Sequence, residues 1–213
     1  VTLVFGADEP FLSDIDSTSR DFETRTRAYW LDWTRTLGVP FEWQRETIRA
    51  AITLKLCSFE ETGAIVAAHT TSIPEAPGTM RNWDYRFCWL RDAFFVVAAL
   101  NRLGATHAME SYISYLTTVV ADPNGFLSPL HSIVPGESLE EHAASLLDGF
   151  EGQGPVRIGN AAAEQAQHDV YGSVILAAKQ MFIDYRLPRM GDEALFRRLE
   201  MLGERAAALA LTP

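Results

Sequence analysis

The chain has 213 residues, 47% of them hydrophobic, which is enough for one domain with a sizeable core. Its formal net charge is −10 and it has no run of basic residues. That excludes nucleic acid and anionic membrane surfaces as partners, because both are bound through Lys/Arg clusters. Charged residues interrupt every apolar stretch well short of the roughly 20 residues a spanning helix needs, so no membrane segment is expected. Val1 to Pro10 has neither a basic nor an apolar leader region. Cys57 and Cys88 are too few for a disulfide framework and suit small buried hydrophobes. A cytoplasmic protein is the resulting expectation.

In chain order, Val1 to Phe5 alternates like a short strand, and residues 6 to 16 are turn-rich and acidic. Ser17-Thr18-Ser19 offers a helix N-cap. Phe22, Trp30, Trp33 and Leu37 then follow at three- and four-residue steps, ended by Gly38 and Pro40. Helices are expected at about 41–57, with Ile48, Ala51, Ile52 and Leu56 inward, at about 89–103, and at about 106–121. Residues 63 to 71 read as extended. Asp122-Pro123-Asn124-Gly125 reads as a turn. A long connection follows from 126 to 158, with room for a short helix at 139–147. A connection of that length in a compact domain is usually functional. Glu137, Glu140 and Glu141 read as a solvated helix start.

A helix over 160–187 would carry Gln165, Asp169 and Gly172 on one face, and a last helix spans about 192–211. Helix 89–103 is apolar nearly all round, whereas 41–57 and 106–121 are amphipathic. That alternation suits two concentric layers of helices.

The stretch from 82 to 92, Asn-Trp-Asp-Tyr-Arg-Phe-Cys-Trp-Leu-Arg-Asp, combines four aromatic rings with two Arg and two Asp. Such a mix suits a polar ligand with flat apolar faces, as a sugar has. The alternative is a buried Arg/Asp pair holding a helix start among ordinary core aromatics. His69, His107, His131, His142 and His168 lack metal-ligand spacing, and there is no phosphate loop or nucleophile elbow. No metal and no cofactor are expected.

Thr71-Ser72-Ile73-Pro74-Glu75, Arg81 to Arg86 and Cys88-Trp89-Leu90-Arg91-Asp92 resemble the signature of glycoside hydrolase family 15, the bacterial glucoamylase-like enzymes and trehalases. Gly154 to Asn160, Gln165 and Asp169 to Gly172 form a second block in the same order. The resemblance runs from about Trp30 to about Leu187. It implies an all-α (α/α)6 barrel, here about its first five helices. Residues 1–16 would end or link from a preceding β domain, the β-sandwich itself being absent. Residues 17–38 would be a linker helix and 39–213 the first half of the barrel.

The resemblance also implies inverting hydrolysis of α-glucosidic bonds in trehalose or another α-glucoside. That chemistry needs two carboxyl groups about 6.5–9.5 Å apart. Both family Glu residues are expected beyond Pro213, and no Trp-Glu pair occurs in this chain. Catalytic residues are therefore none here, and the isolated chain is expected to be inactive. Arg91 and Asp92 would bind glucose hydroxyls, Tyr85 and Trp89 would stack on the ring, and Arg157, Gln165 and Asp169 would line the same cavity. An incomplete barrel would expose an apolar seam through which copies could associate. The competing reading is a non-catalytic helical module that binds carbohydrate or a protein partner.

Overall fold

The computed structural model describes residues 2–6, 14–120 and 126–210. Among the described residues seven helices run in the order α1 (Ile15–Arg35), α2 (Gln44–Leu56), α3 (Leu90–Arg102), α4 (Thr106–Val119), α5 (Asp169–Ala178), α6 (Gln180–Ile183) and α7 (Glu193–Leu209). Two antiparallel two-residue ribbons join the loops. One pairs β1 (Cys88–Trp89) with β2 (Leu130–His131), the other β3 (His142–Ala143) with β4 (Arg157–Ile158). Apart from these ribbons and two isolated bridges, Ser58↔Ile65 and Thr71↔Asp84, the regular structure of the described residues is helical.

The expected layering is present. α3 and α5 lie side by side; α2 and α4 pack behind α3, while α4 and α7 pack behind α5. So α3 and α5 form an inner layer and α2, α4 and α7 an outer one, the alternation of a partial (α/α)6 barrel. Val97 of α3, Met109, Tyr112 and Leu116 of α4, Val174 of α5 and Leu202 of α7 meet in the main core. Burial of this apolar surface is the chief force holding the layers together. Tyr112 sits wholly inside because its hydroxyl donates to the Leu90 carbonyl (3.2 Å). At the far end of α3, Asn101 and Arg186 share the Asp184 carboxylate, which ties the chain after α6 to the inner layer.

Several expectations change. Residues 2–5 form no strand, Val1 lies outside the described residues, and so does the turn at 122–125. Helix α1 is capped by Asp14, whose carboxylate accepts from Ser17 N–H (2.9 Å), rather than by the hydroxyl cluster after it. α1 buries no residue along its length, and Phe22 and Tyr29 stay exposed. Its C-terminal part reaches the body: Trp33 and Leu37 pack with Ala51 of α2 and Leu100 of α3, and the Tyr29 hydroxyl donates to Glu60 (3.3 Å). On α2, Leu56 points outward while Leu54 joins that cluster. Among the apolar residues of α3 only Phe95, 64% exposed, faces outward; Asp92 and Arg102 at its two ends are exposed as well.

Residues 63–71 are extended as expected, running antiparallel to 83–87. Ala67, Ala68 and Ser72 N–H groups donate to the carbonyls of Phe87, Tyr85 and Trp83. Residues 139–147 are not helical; they contain β3. The helix expected over 160–187 is broken. A 3-10 turn at Ala161–Glu164 is capped by Asn160, whose Oδ1 accepts from Ala162 N–H, and α5 starts only at Asp169.

Cys57 is half-buried and Cys88 fully buried. Burial pushes the Cys88 thiol up to about 12. Since the thiolate is the reactive form, Cys88 should resist thiol-modifying reagents in the native chain at neutral pH. Mass spectrometry should find Cys88 modified only after denaturation; native-state labelling at Cys88 would contradict the packing.

Candidate active site

The site is assembled where the inner helices begin. The β1–β2 ribbon delivers the chain into α3, so Arg91 and Asp92 fall in its first turn. Asp169 opens α5. The positive ends of two neighbouring helices thus carry carboxylates, a favourable placement. Arg91 joins them: NH1 lies 3.2 Å from Asp169 Oδ2, and NH2 3.2 Å from Asp92 Oδ2. The three side chains are 44–48% exposed. Ion pairs that wet contribute about 0–1 kcal/mol to folding. The cluster is therefore no buried pair holding a helix start, and stability does not account for it.

Beside Arg91 lies a cavity of about 420 Å³. Tyr85 and Trp89 supply rings 5.6 Å apart, and Gln165 closes one side. The structure so brings Tyr85, Trp89, Arg91 and Gln165 into one wall. Asp92 and Asp169 do not line the cavity themselves; they flank it as the ion-pair partners of Arg91. Arg157 does not line the cavity. Its NH1 donates to Glu141 Oε1 (2.7 Å), and its Nε lies 3.5 Å from Asn82 Oδ1. Gln165 and Asp169 do not share a helix face, because Gln165 precedes α5 in extended backbone.

Residue-type reasoning passed over Glu75, Arg81, Trp83, Glu141 and Asn160, which also line the cavity. Glu75 accepts from the Tyr85 hydroxyl (2.8 Å) and from Arg81 Nε (2.9 Å), while the Arg81 guanidinium lies over the Trp83 ring at 5.4 Å. The Tyr85 bond, then the Arg81 bond, hold the Glu75 carboxyl below its usual range. Burial first, and the Glu75 bond second, push the Tyr85 phenol up to about 12. Tyr85 is therefore a neutral, oriented hydroxyl at physiological pH. Glu75 and Asn160 stand inside the two sequence blocks, where their position was the available signal. Glu141 stands outside both and gave none; the expected solvated helix start at Glu137, Glu140 and Glu141 fails at Glu141, which Arg157 draws inward.

Under the cavity, Asp84 is wholly buried. Its carboxylate accepts from Arg86 Nε (2.9 Å) and NH2 (2.8 Å), from Arg86 N–H (3.1 Å) and from Gly159 N–H (3.2 Å). Its carbonyl accepts from Asn160 Nδ2 (2.9 Å). Buried Asn82 donates to the carbonyls of Gln153 and Pro155. Two segments more than 70 residues apart are stapled together by these bonds. Among the described residues no group of three or more His, Cys, Asp or Glu could hold a metal ion. No helix among them is long and apolar enough to cross a membrane.

Comparison with known proteins adds the lineage. The chain is 39% identical over 155 residues to a trehalase of Mycolicibacterium smegmatis, covering 71% of this chain and 23% of that protein. It is 36% identical over 156 residues to a trehalase of Thermoplasma volcanium, covering 73% and 25%. A trehalase of Mycobacterium tuberculosis is 38% identical over 155 residues, covering 71% and 23%. The chain spans about a quarter of the length of these relatives. No solved structure matches it. The profile of glycosyl hydrolases family 15 matches residues 44–196, from the start of α2 into α7 and across every wall of the cavity, and the chain belongs to that family.

Proposed function

We propose that this chain carries the glucose-binding part of an inverting glycoside hydrolase that cleaves trehalose, and that the catalytic carboxyl pair lies outside it. The observation that carries this reading is the Tyr85–Trp89 ring pair set against Arg91, whose guanidinium two half-exposed carboxylates orient. Rings match the flat C–H faces of a pyranose, and a fixed fork of N–H donors with adjoining carboxylates matches its hydroxyls. Trehalose is favoured over maltose and longer glucans because the relatives above are trehalases.

The two carboxylates on the cavity wall are poor candidates for proton transfer. A general acid needs a raised pKa, and Glu75 is held low by Tyr85 and Arg81. Both oxygens of Glu141 already accept protein N–H bonds, from Arg157 and Ala161. Glu75 is therefore not poised to give up a proton to a glycosidic oxygen, and Glu141 is engaged as a hydrogen-bond acceptor.

The test uses the complete enzyme carrying this chain. Inversion at one anomeric carbon of trehalose should release α- and β-glucose in equal amounts before mutarotation, seen by proton NMR. The isolated 213-residue chain should release none. Two α-anomers, no turnover of trehalose by the complete enzyme, or turnover by the isolated chain would overturn the reading.

A further inference from the structure

We infer that Glu141 is a further sugar-binding residue of this cavity, accepting a hydrogen bond from a glucose hydroxyl, and that Arg157 is its positioning residue. The inference rests on the proposed function of the cavity. It reverses the expected roles, in which the family resemblance had Arg157 line the sugar cavity and Glu141 belonged to a solvated helix start.

Glu141 lies one residue ahead of β3, and the register Ala143↔Arg157 sets it beside β4. Its side chain is 17% exposed and stands on the cavity wall with Tyr85, Trp89 and Arg91. Oε1 accepts from Arg157 NH1 (2.7 Å) and Oε2 from Ala161 N–H (3.2 Å). A carboxylate oxygen can accept two hydrogen bonds, so each keeps one acceptor position. A glucose hydroxyl in the cavity is the natural donor.

Arg157 is itself fixed. Its N–H donates to Ser72 Oγ (2.7 Å), its carbonyl accepts from Thr71 Oγ1 (2.6 Å), and Asn82 stands beside Nε. The Glu141 backbone is fixed too. A Cβ on Gly159, at φ +82°, would fall 2.0 Å from the Glu140 carbonyl oxygen and 2.9 Å from Glu141 N. Only glycine lets the 140–141 segment come that close. An acceptor held this rigidly costs little further ordering when a ligand arrives.

Wild-type complete enzyme and Glu141→Gln should be compared on trehalose and on a panel of its monodeoxy analogues. Glu141→Gln should lower kcat/KM for trehalose about 10- to 100-fold, the range for one hydrogen bond to a charged group. One analogue that is poor for the wild type should be no poorer than trehalose for the variant, since the missing hydroxyl has lost its acceptor. Arg157→Lys should reduce that same discrimination in part, and add little on top of Glu141→Gln. If Glu141→Gln does not fold, Arg157→Lys carries the same profile test.

A uniform loss across all analogues, or no loss, would overturn the inference and leave Glu141–Arg157 as a strap between β3 and β4. Arg91→Ala separates the two readings. If it leaves trehalose turnover intact, the cavity reading has failed. If it cripples turnover while the Glu141 profile stays flat, this inference alone falls.

Discussion

Asp92→Asn in the complete enzyme is expected to lower kcat/KM for trehalose by about 100-fold without unfolding it. The carboxylate is 47% exposed, and Arg91 at 3.2 Å is its ion-pair partner. No buried group depends on it, so the fold should lose less than about 1 kcal/mol. In a sugar site the same carboxylate acts as a charged acceptor, where a hydrogen bond contributes about 1.5–3 kcal/mol. At about 1.4 kcal/mol per factor of ten, that is on the order of 10- to 100-fold, and loosening Arg91 pushes the loss to the upper end. Asn keeps the shape and removes the charge. Steady-state kinetics and circular dichroism on one preparation check it. An unfolded variant would restore the purely structural reading, and activity within twofold of wild type would remove Asp92 from the site.

Asp84→Ala should act in the opposite sense, destabilising the isolated chain by about 3 kcal/mol. Four donors converge on that buried carboxylate, and its loss leaves the Gly159 N–H facing a gap. Breaking a buried pair by removing one partner costs about 3–5 kcal/mol. The lower figure applies because the Arg86 side chain is 45% exposed and can turn to water. Urea titration followed by circular dichroism measures it. A loss under about 1 kcal/mol would mean that the staple between 82–86 and 157–160 is made elsewhere. The contrast sets apart two Asp residues eight positions apart in one aromatic-rich stretch, one buried under four donors and one half-exposed beside the proposed sugar cavity.

Much of the architecture was legible beforehand. Apolar spacing in 41–57, 89–103 and 106–121 placed α2, α3 and α4 to within about three residues, because a helix registers its buried face every three to four positions. The break between 160 and 169 was not legible. Ala161-Ala162-Ala163 favours helix by propensity and Asn160 caps its start through Ala162 N–H, yet the run ends after one 3-10 turn because Gln165 is extended. Likewise the Trp and Phe spacing of α1 suggested a packed face along the helix, but no residue of it is buried and its apolar contacts with the body are made near its C-terminal end.

Residue order alone determined that this chain is helical, layered, acidic and built around one aromatic, Arg- and Asp-rich stretch. Those properties depend on residue type and short-range spacing. Tertiary structure decided which charged groups face the cavity: that Arg157 turns to Glu141, that Asp84 is buried while Asp92 is wet, and that Glu75 holds Tyr85. The physical reason is that a long polar side chain can reach several partners, and which of them stands within hydrogen-bond distance is set by backbone segments far away in the chain.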